Sequence, residues 1–220
     1  MQTKIEDPDT VYIVDDDPSV RKSMSGLVQR KGYGVLAFGS AEAFLEYRKD
    51  AADVGCCCLV LDVAMPGLNG IALQEALVKD AESMPIIFIS GHGDIPTSVH
   101  AMKNGALDFL VKPVTGGELL GAIELALCKD REARERRAEI AAIQARVQAL
   151  TPREREVLAL VVTGMLNKQI AAEMGIEEGT VKIHRGRVMS KMGVASVAEL
   201  VALCSKYDAA LLGDDARPLG

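Results

Sequence analysis

Five short apolar runs recur along the first half of the chain, and each is followed by a stretch whose apolar residues come round at helical spacing. The runs are Val11–Val14, Val35–Phe38, Cys56–Leu61, Pro85–Ile89 and Phe109–Val111. The helical patterns lie near Val20–Arg30, Ala41–Arg48, Ile71–Lys79, Thr97–Lys103 and Glu118–Leu127. Strands alternating with helices predict βαβ units and a parallel sheet. The runs carry almost no polar residues, the pattern of strands covered on both faces. The expected fold is α/β, a doubly wound five-stranded parallel sheet. In such sheets the site lies beyond the C-terminal ends of the strands.

Charged residues gather at those ends. Asp15, Asp16 and Asp17 follow the first run, Asp62 follows the third, and Lys112 follows the fifth and precedes Pro113. With strand one beside strands three, four and five, these side chains converge on one sheet edge. Clustered carboxylates repel one another unless a cation joins them. Mg²⁺ suits such a site, because it takes oxygen ligands and works with phosphates. A lone lysine is a point charge able to meet a phosphate oxygen. A carboxylate can act as nucleophile and form an aspartyl-phosphate. Taken singly, an acidic run before a helix is more often a cap and Lys-Pro more often a turn. The specific feature is their order at βα spacing.

The segments VYIVDDDPSVRKSM, CLVLDVAMPGLNG, IIFISGHGD and ALDFLVKP carry that order, and over residues 9–128 the chain resembles the receiver domain of two-component response regulators. The resemblance implies a CheY-like, flavodoxin-like sheet order of 2-1-3-4-5. It implies Asp62 as phosphoacceptor, and Mg²⁺ held by Asp15, Asp16, Asp62 and the backbone carbonyl of Ala64. Ser90 would give its hydroxyl to the phosphoryl group, Lys112 would pair with a phosphate oxygen, and Phe109 would rotate inward as Ser90 moves. Asp17 lies beyond the acidic pair and reads as a helix cap. Ser90 stands where many relatives have Thr, which keeps the hydroxyl.

The second half is helical throughout. After Gly121 neither Gly nor Pro occurs until Pro152, so residues 118–149 can form one long helix, its middle almost entirely charged over Lys129–Glu139. Ile140, Ile143, Val147 and Leu150 then recur at spacings of three and four. That seam suits either the last turns of a solvated linker packing on a second domain or a short coiled-coil dimer contact. Thr151, Pro152 and Glu154 make a capping box that opens a helix running to about Thr163. Asn167–Met174, a turn at Gly175–Glu178 and Thr180–Met192 have helix-turn-helix lengths, and Ser196–Ser205 reads as a fourth helix. A frayed tail is expected over Leu211–Gly220.

Cations concentrate on the third of these helices, at Lys182, Arg185, Arg187 and Lys191. The segments PREREVL, NKQIA and TVKIHRGRVMSKM closely resemble the LuxR-type DNA-binding domain, and the pairing of two such domains resembles the NarL/FixJ family. The expected organisation is a receiver over residues 9–128, a helical linker over 129–149 and an all-α helix-turn-helix domain over 150–206. The resemblance implies that Thr180–Met192 enters the major groove of duplex DNA. Lys182, Ile183 and Gly186 would face base edges, Thr180, Arg187 and Lys191 would meet phosphates, and Arg185 would join the DNA-binding set. His184 stands between packing on the scaffold and DNA contact. Gly186 departs from the larger residue usual at its position, at a helix-propensity cost of about 1 kcal/mol against Ala.

Charge divides the same way. Residues 9–128 hold nine Lys and Arg against sixteen Asp and Glu, whereas residues 146–206 hold nine against six. An acidic half joined to a basic half suggests two domains with different partners. No stretch is apolar enough to span a membrane, and the polar N-terminus carries no signal core, so a cytoplasmic protein is expected. The five cysteines, Cys56, Cys57, Cys58, Cys128 and Cys204, make no CxxC pair and read as small buried hydrophobes in a reducing compartment. The function expected is a transcription factor phosphorylated by a sensor histidine kinase and homodimeric when phosphorylated, with RNA polymerase as a further candidate partner. A Mg²⁺-dependent phosphohydrolase is disfavoured by Ala64, which stands where such enzymes place a general acid. A vestigial receiver is disfavoured by the full set of Asp15, Asp16, Asp62, Ser90 and Lys112.

Overall fold

The computed structural model describes residues 9–50, 55–79, 84–91 and 95–207. The tail expected over residues 211–220 lies outside them. By their contacts the residues form two units that divide between Arg134 and Glu135.

The first unit is the expected doubly wound sheet. Strands β1 (Thr10–Val14), β2 (Gly34–Phe38), β3 (Cys57–Asp62), β4 (Ile86–Ser90) and β5 (Asp108–Val111) alternate with helices α1 (Pro18–Arg30), α2 (Ala41–Asp50), α3 (Gly70–Lys79), α4 (Ile95–Lys103) and α5 (Gly116–Gln148). All strand pairs are parallel, in the order β2-β1-β3-β4-β5. Alternate residues of the central strands face opposite layers. Tyr12, Val14, Leu59, Leu61 and Phe88 pack under α2, α3 and α4. Val11, Ile13, Cys58, Val60, Ile87 and Ile89 pack under α1 and the first turns of α5. The strands are shifted by a residue or so from the apolar runs because pairing, not hydrophobicity, sets their ends. β3 includes Asp62, whose backbone pairs in register with Ile89.

Helix α5 runs unbroken through the charged segment for 33 residues. Leu119, Ala122, Ile123, Ala126 and Leu127 serve the core of the first unit. Asp130 is also buried there, accepting Cys57 N–H at 2.8 Å and Arg134 Nε at 2.8 Å. Within the second unit, Ile143 and Leu150 are buried and Ile140 and Val147 pack beside them. The four seam residues are thus engaged by the helical core of their own unit.

That core is built by α6 (Pro152–Val162), α7 (Asn167–Met174), α8 (Glu178–Met192) and α9 (Val197–Lys206). The capping box at Thr151 forms as expected: Glu154 N–H donates to Thr151 Oγ1 and Thr151 N–H donates to Glu154 Oε2. Gly175 ends α7 at φ 64°, a left-handed conformation that glycine adopts without a Cβ clash. Helix α8 begins two residues before the expected Thr180, which shortens the turn to Gly175–Glu177. Among the described residues no single helix is long and apolar enough to cross a membrane.

Candidate functional site

The acidic pocket is assembled from three strand ends. Asp15 follows β1, Asp62 closes β3 and Lys112 follows β5. Lys112 Nζ donates to Asp15 Oδ2 at 2.8 Å and to Asp62 Oδ1 at 2.9 Å. Both carboxylates are buried, at 1% and 5% exposure. Asp15 is fixed further: its Oδ1 accepts Asp17 N–H at 2.8 Å, and its carbonyl accepts Arg21 at 2.6 Å. Asp16 is exposed beside them. Asp17 is the cap of α1, accepting from Ser19 and Val20 N–H at 2.7 and 3.3 Å.

These contacts set the charge states. Burial pushes the Asp62 carboxyl above the ordinary aspartate range; Lys112 pulls it back, and Asp15 and Asp16 push it further up. Burial works to lower Lys112, but its bonds to Asp15 and Asp62 outweigh that and raise it, so the ammonium stays charged. Two buried carboxylates therefore share one cation, with the charge of exposed Asp16 beside them. Among the described residues no three His, Cys, Asp or Glu side chains are gathered about one point. Asp15 and Asp62 meet through Lys112, with Asp16 outside that contact. The donor set, all oxygen and short of positive charge, fits a hard dication.

Ser90 closes β4 and is buried, one residue beyond the Ile89 that pairs with Asp62. Its carbonyl accepts Lys112 N–H at 2.8 Å, which ties β4 and β5 together at the pocket. Ala64 is exposed in the loop after β3. Phe109 is half-buried on β5, packed toward the α4 layer with its ring centroid 6.1 Å from that of Phe88.

Two residues that sequence reading passed over shape the loop after Asp62. A Cβ on Gly70 would collide with the Asp62 carbonyl oxygen, so only glycine lets α3 start this close to the strand end. Glu42, at the start of α2, accepts Leu68 N–H at 2.9 Å, and that bond holds its carboxyl below the usual range. Gly70 lies inside the quoted CLVLDVAMPGLNG segment, but its crowding arises only once α3 is packed. Glu42 is 26 residues from its partner, with no local signal linking them.

In the second unit, α8 buries Val181, Val188 and Met192. Lys182, Ile183, Gly186 and Arg187 are exposed, with Ile183 57% accessible, and Thr180 is half-buried. Arg185 donates to Asn167 Oδ1 at 2.8 Å, a tie to the start of α7. His184 turns inward, its Nδ1 buried without a hydrogen-bond partner. Lys191 departs from the expected phosphate contact. Its Nζ donates to Glu154 Oε2 at 2.6 Å and to the Ala149 carbonyl at 3.1 Å. The Lys191 bond, followed by Thr151 N–H, holds the Glu154 carboxyl down at about 2.

The cysteines are free thiols. Burial pushes Cys57 up to about 11 and Cys58 higher still, which keeps both protonated and unreactive.

Residues 11–124 match the sequence model of the response regulator receiver domain, and residues 148–204 match that of the bacterial regulatory proteins of the luxR family. The chain belongs to the NarL/FixJ family of response regulators. It is similar to nodulation protein W of Bradyrhizobium diazoefficiens, with 48% identity over 193 residues, 88% of this chain and 84% of that protein. Transcriptional regulatory protein FixJ of the same species is 40% identical over 204 residues, covering 93% and 97%. Among solved structures, response regulator StyR superposes with a TM-score of 0.82 at 46% identity, covering 91% of this chain and all of that one. Full-length FixJ gives 0.56 at 39% identity, covering 90% and 97%. As a response regulator of this family the chain is a two-component, DNA-binding transcription regulator and not an enzyme. The family implies a histidine kinase partner.

Proposed function

We propose that Asp62 is the phosphoacceptor of this response regulator and that its phosphorylation controls DNA binding through α8. The observation that carries the reading is the shared contact of Lys112 with Asp15 and Asp62, two buried carboxylates at adjacent strand ends. Burial raises the free energy of the ionised Asp62, and Lys112 keeps part of the carboxylate available as a nucleophile by offsetting that cost. An Asp62 oxygen attacks the phosphorus of the kinase's phosphohistidine; the P–O bond forms as the P–N bond breaks, and the imidazole leaves with the electron pair. Asp15, Asp16, Asp62 and the Ala64 carbonyl would hold Mg²⁺, which when bound neutralises phosphoryl charge. Lys112 moves its hydrogen bond from the Asp62 carboxylate to a phosphoryl oxygen. Ser90 turns its hydroxyl toward the same group, and Phe109 follows it inward.

The output surface in this reading is α4 with β5. Ile95, Val99 and Met102 on α4 and Val111 on β5 are exposed apolar residues, at 76, 45, 46 and 52%. A homodimer of phosphorylated receivers formed there would match the two-fold symmetry of a DNA site. On the DNA, Lys182, Ile183 and Gly186 face base edges while Thr180 and Arg187 lie toward the backbone, and Arg185 supports α8 through Asn167. RNA polymerase is the partner proposed for the bound regulator, and the cytoplasm its compartment.

The test is labelling with acetyl phosphate and Mg²⁺, followed by intact mass. The wild-type chain gains one phosphoryl group, and Asp62→Asn gains none. Undiminished labelling of Asp62→Asn at another residue sinks the assignment.

A further inference from the structure

We infer that the buried carboxylate of Glu154 and the ammonium of Lys191 form a clasp that positions the recognition helix, so that Lys191 serves DNA binding by aligning α8 rather than by touching phosphate. The inference rests on the reading of α8 as the DNA-binding helix.

The geometry is specific. Glu154 is 2% exposed, and the same Oε2 takes Thr151 N–H at 2.8 Å and Lys191 Nζ at 2.6 Å. Lys191 also donates to the Ala149 carbonyl at 3.1 Å. One residue on, the Met192 carbonyl accepts Arg146 at 3.0 Å. The last turn of α8 is therefore tied at three points to the turn where α5 ends and α6 begins. All of these residues lie in the second unit.

A phosphate contact by Lys191 would require its ammonium to leave Glu154. That would strand a buried carboxylate, and breaking such a pair costs more than a surface ion pair returns. Lys182 and Arg187 are exposed and are the cations on α8 placed to meet nucleic acid. Alignment matters more here because Gly186 lies in the middle of the reading face. After proline, glycine is the poorest interior helix former. A helix weak at its centre keeps its register only where its neighbours hold it. In α8 the centre is tied by Arg185, next to Gly186, to Asn167, and the last turn is held by the clasp.

The two roles predict opposite signs for one substitution. If Lys191 met phosphate, Glu154→Gln would remove a competing negative charge and tighten DNA binding. If the clasp positions α8, the same change weakens it. The experiment uses the full-length chain and a duplex of about 30 base pairs, long enough for two half-sites one helical turn apart, selected by the chain from a random pool. A scrambled duplex serves as control, and titrations are repeated at several salt concentrations. Glu154→Gln and Lys191→Met should each weaken binding to the selected duplex on the order of tenfold, the loss of about one base contact. Both should narrow the ratio between selected and scrambled duplexes, and the double variant should be no worse than either single one. The salt slope of Lys191→Met should stay at the wild-type value, whereas Arg187→Met should reduce it by about one unit. A variant that merely unfolds weakens binding to the selected and scrambled duplexes alike and leaves their ratio unchanged. Lys191→Arg, which keeps a donor for Glu154, should retain the wild-type ratio. Tighter binding by Glu154→Gln, or a salt slope for Lys191→Met reduced as far as that for Arg187→Met, overturns the clasp. A wild-type chain that binds no duplex overturns the DNA reading of α8 itself, and the clasp's role with it.

Discussion

Asp130→Ala tests how the receiver holds α5. The carboxylate is 1% exposed and accepts both Cys57 N–H, at the start of β3, and Arg134 Nε. Removing it takes this acceptor from a buried strand N–H, at a cost of about 1–3 kcal/mol. The Arg134 side chain is 28% exposed. It can turn to water, so the ion pair itself counts as a partly screened one worth about 0.2–1 kcal/mol. Together the loss is about 1–4 kcal/mol. With a urea m-value of about 1.5 kcal/mol/M for a unit of this size, the receiver transition should fall by about 1–3 M. The readout is near-ultraviolet circular dichroism, since Tyr12, Tyr33 and Tyr47 lie in the receiver and Tyr207 in the helical unit. Arg134→Ala added to Asp130→Ala should cost little more, because both remove the same ion pair. Asp130 acts at the start of β3 and Asp62 lies at its end, so the folded variant should label with acetyl phosphate at the wild-type rate. An unmoved midpoint, or a double variant whose cost is the sum of the two singles, would refute the reasoning.

Three further outcomes follow from the charged groups. The Asp62 carboxyl is raised by burial, so its ionisation costs stability as pH rises through the folded-state value. Asp62→Asn should therefore melt above wild type at pH 7 without divalent metal, with the gap closing below about pH 4, where both side chains are neutral in both states; an equal or lower melting temperature at pH 7 argues against a strained carboxylate. The Glu154 carboxyl is held at about 2, so its contribution is present above the ordinary glutamate value and lost as pH falls toward 2. Thermal melts between pH 5 and pH 2 should show wild type converging on Glu154→Gln, and curves that stay parallel count against the Lys191 pair. Glu42→Ala frees Leu68 N–H and should raise the Mg²⁺ concentration needed for half-maximal acetyl phosphate labelling, by less than the roughly tenfold lost with a ligand's own hydrogen-bond partner, while leaving the saturated rate and the melting temperature nearly unchanged; a changed saturated rate alone would place Glu42 elsewhere in the chemistry.

What was legible in the sequence and what was not divide along a physical line. The βα alternation, the placement of Asp15, Asp62 and Lys112 at strand ends, the Asp17 cap and the Thr151 capping box all follow from patterns within a few residues, where period and propensity act directly. The contacts that sequence reading passed over join distant positions: Glu42 with Leu68 across 26 residues, Glu154 with Lys191 across 37, Cys57 with Asp130 across 73. No local period reports such a pair, because each exists only after the core has brought its elements together. Lys191 shows the consequence. Helical spacing places it one turn beyond Arg187, on the same side as a cation that faces solvent, and so among the DNA contacts. A lysine stem is long enough to leave the face its Cα defines, and a buried carboxylate on α6 is a stronger reason to turn than water is to stay. On the clasp reading, a count of cations along α8 overstates the charge offered to DNA, and the partners of each one decide which remain to bind it.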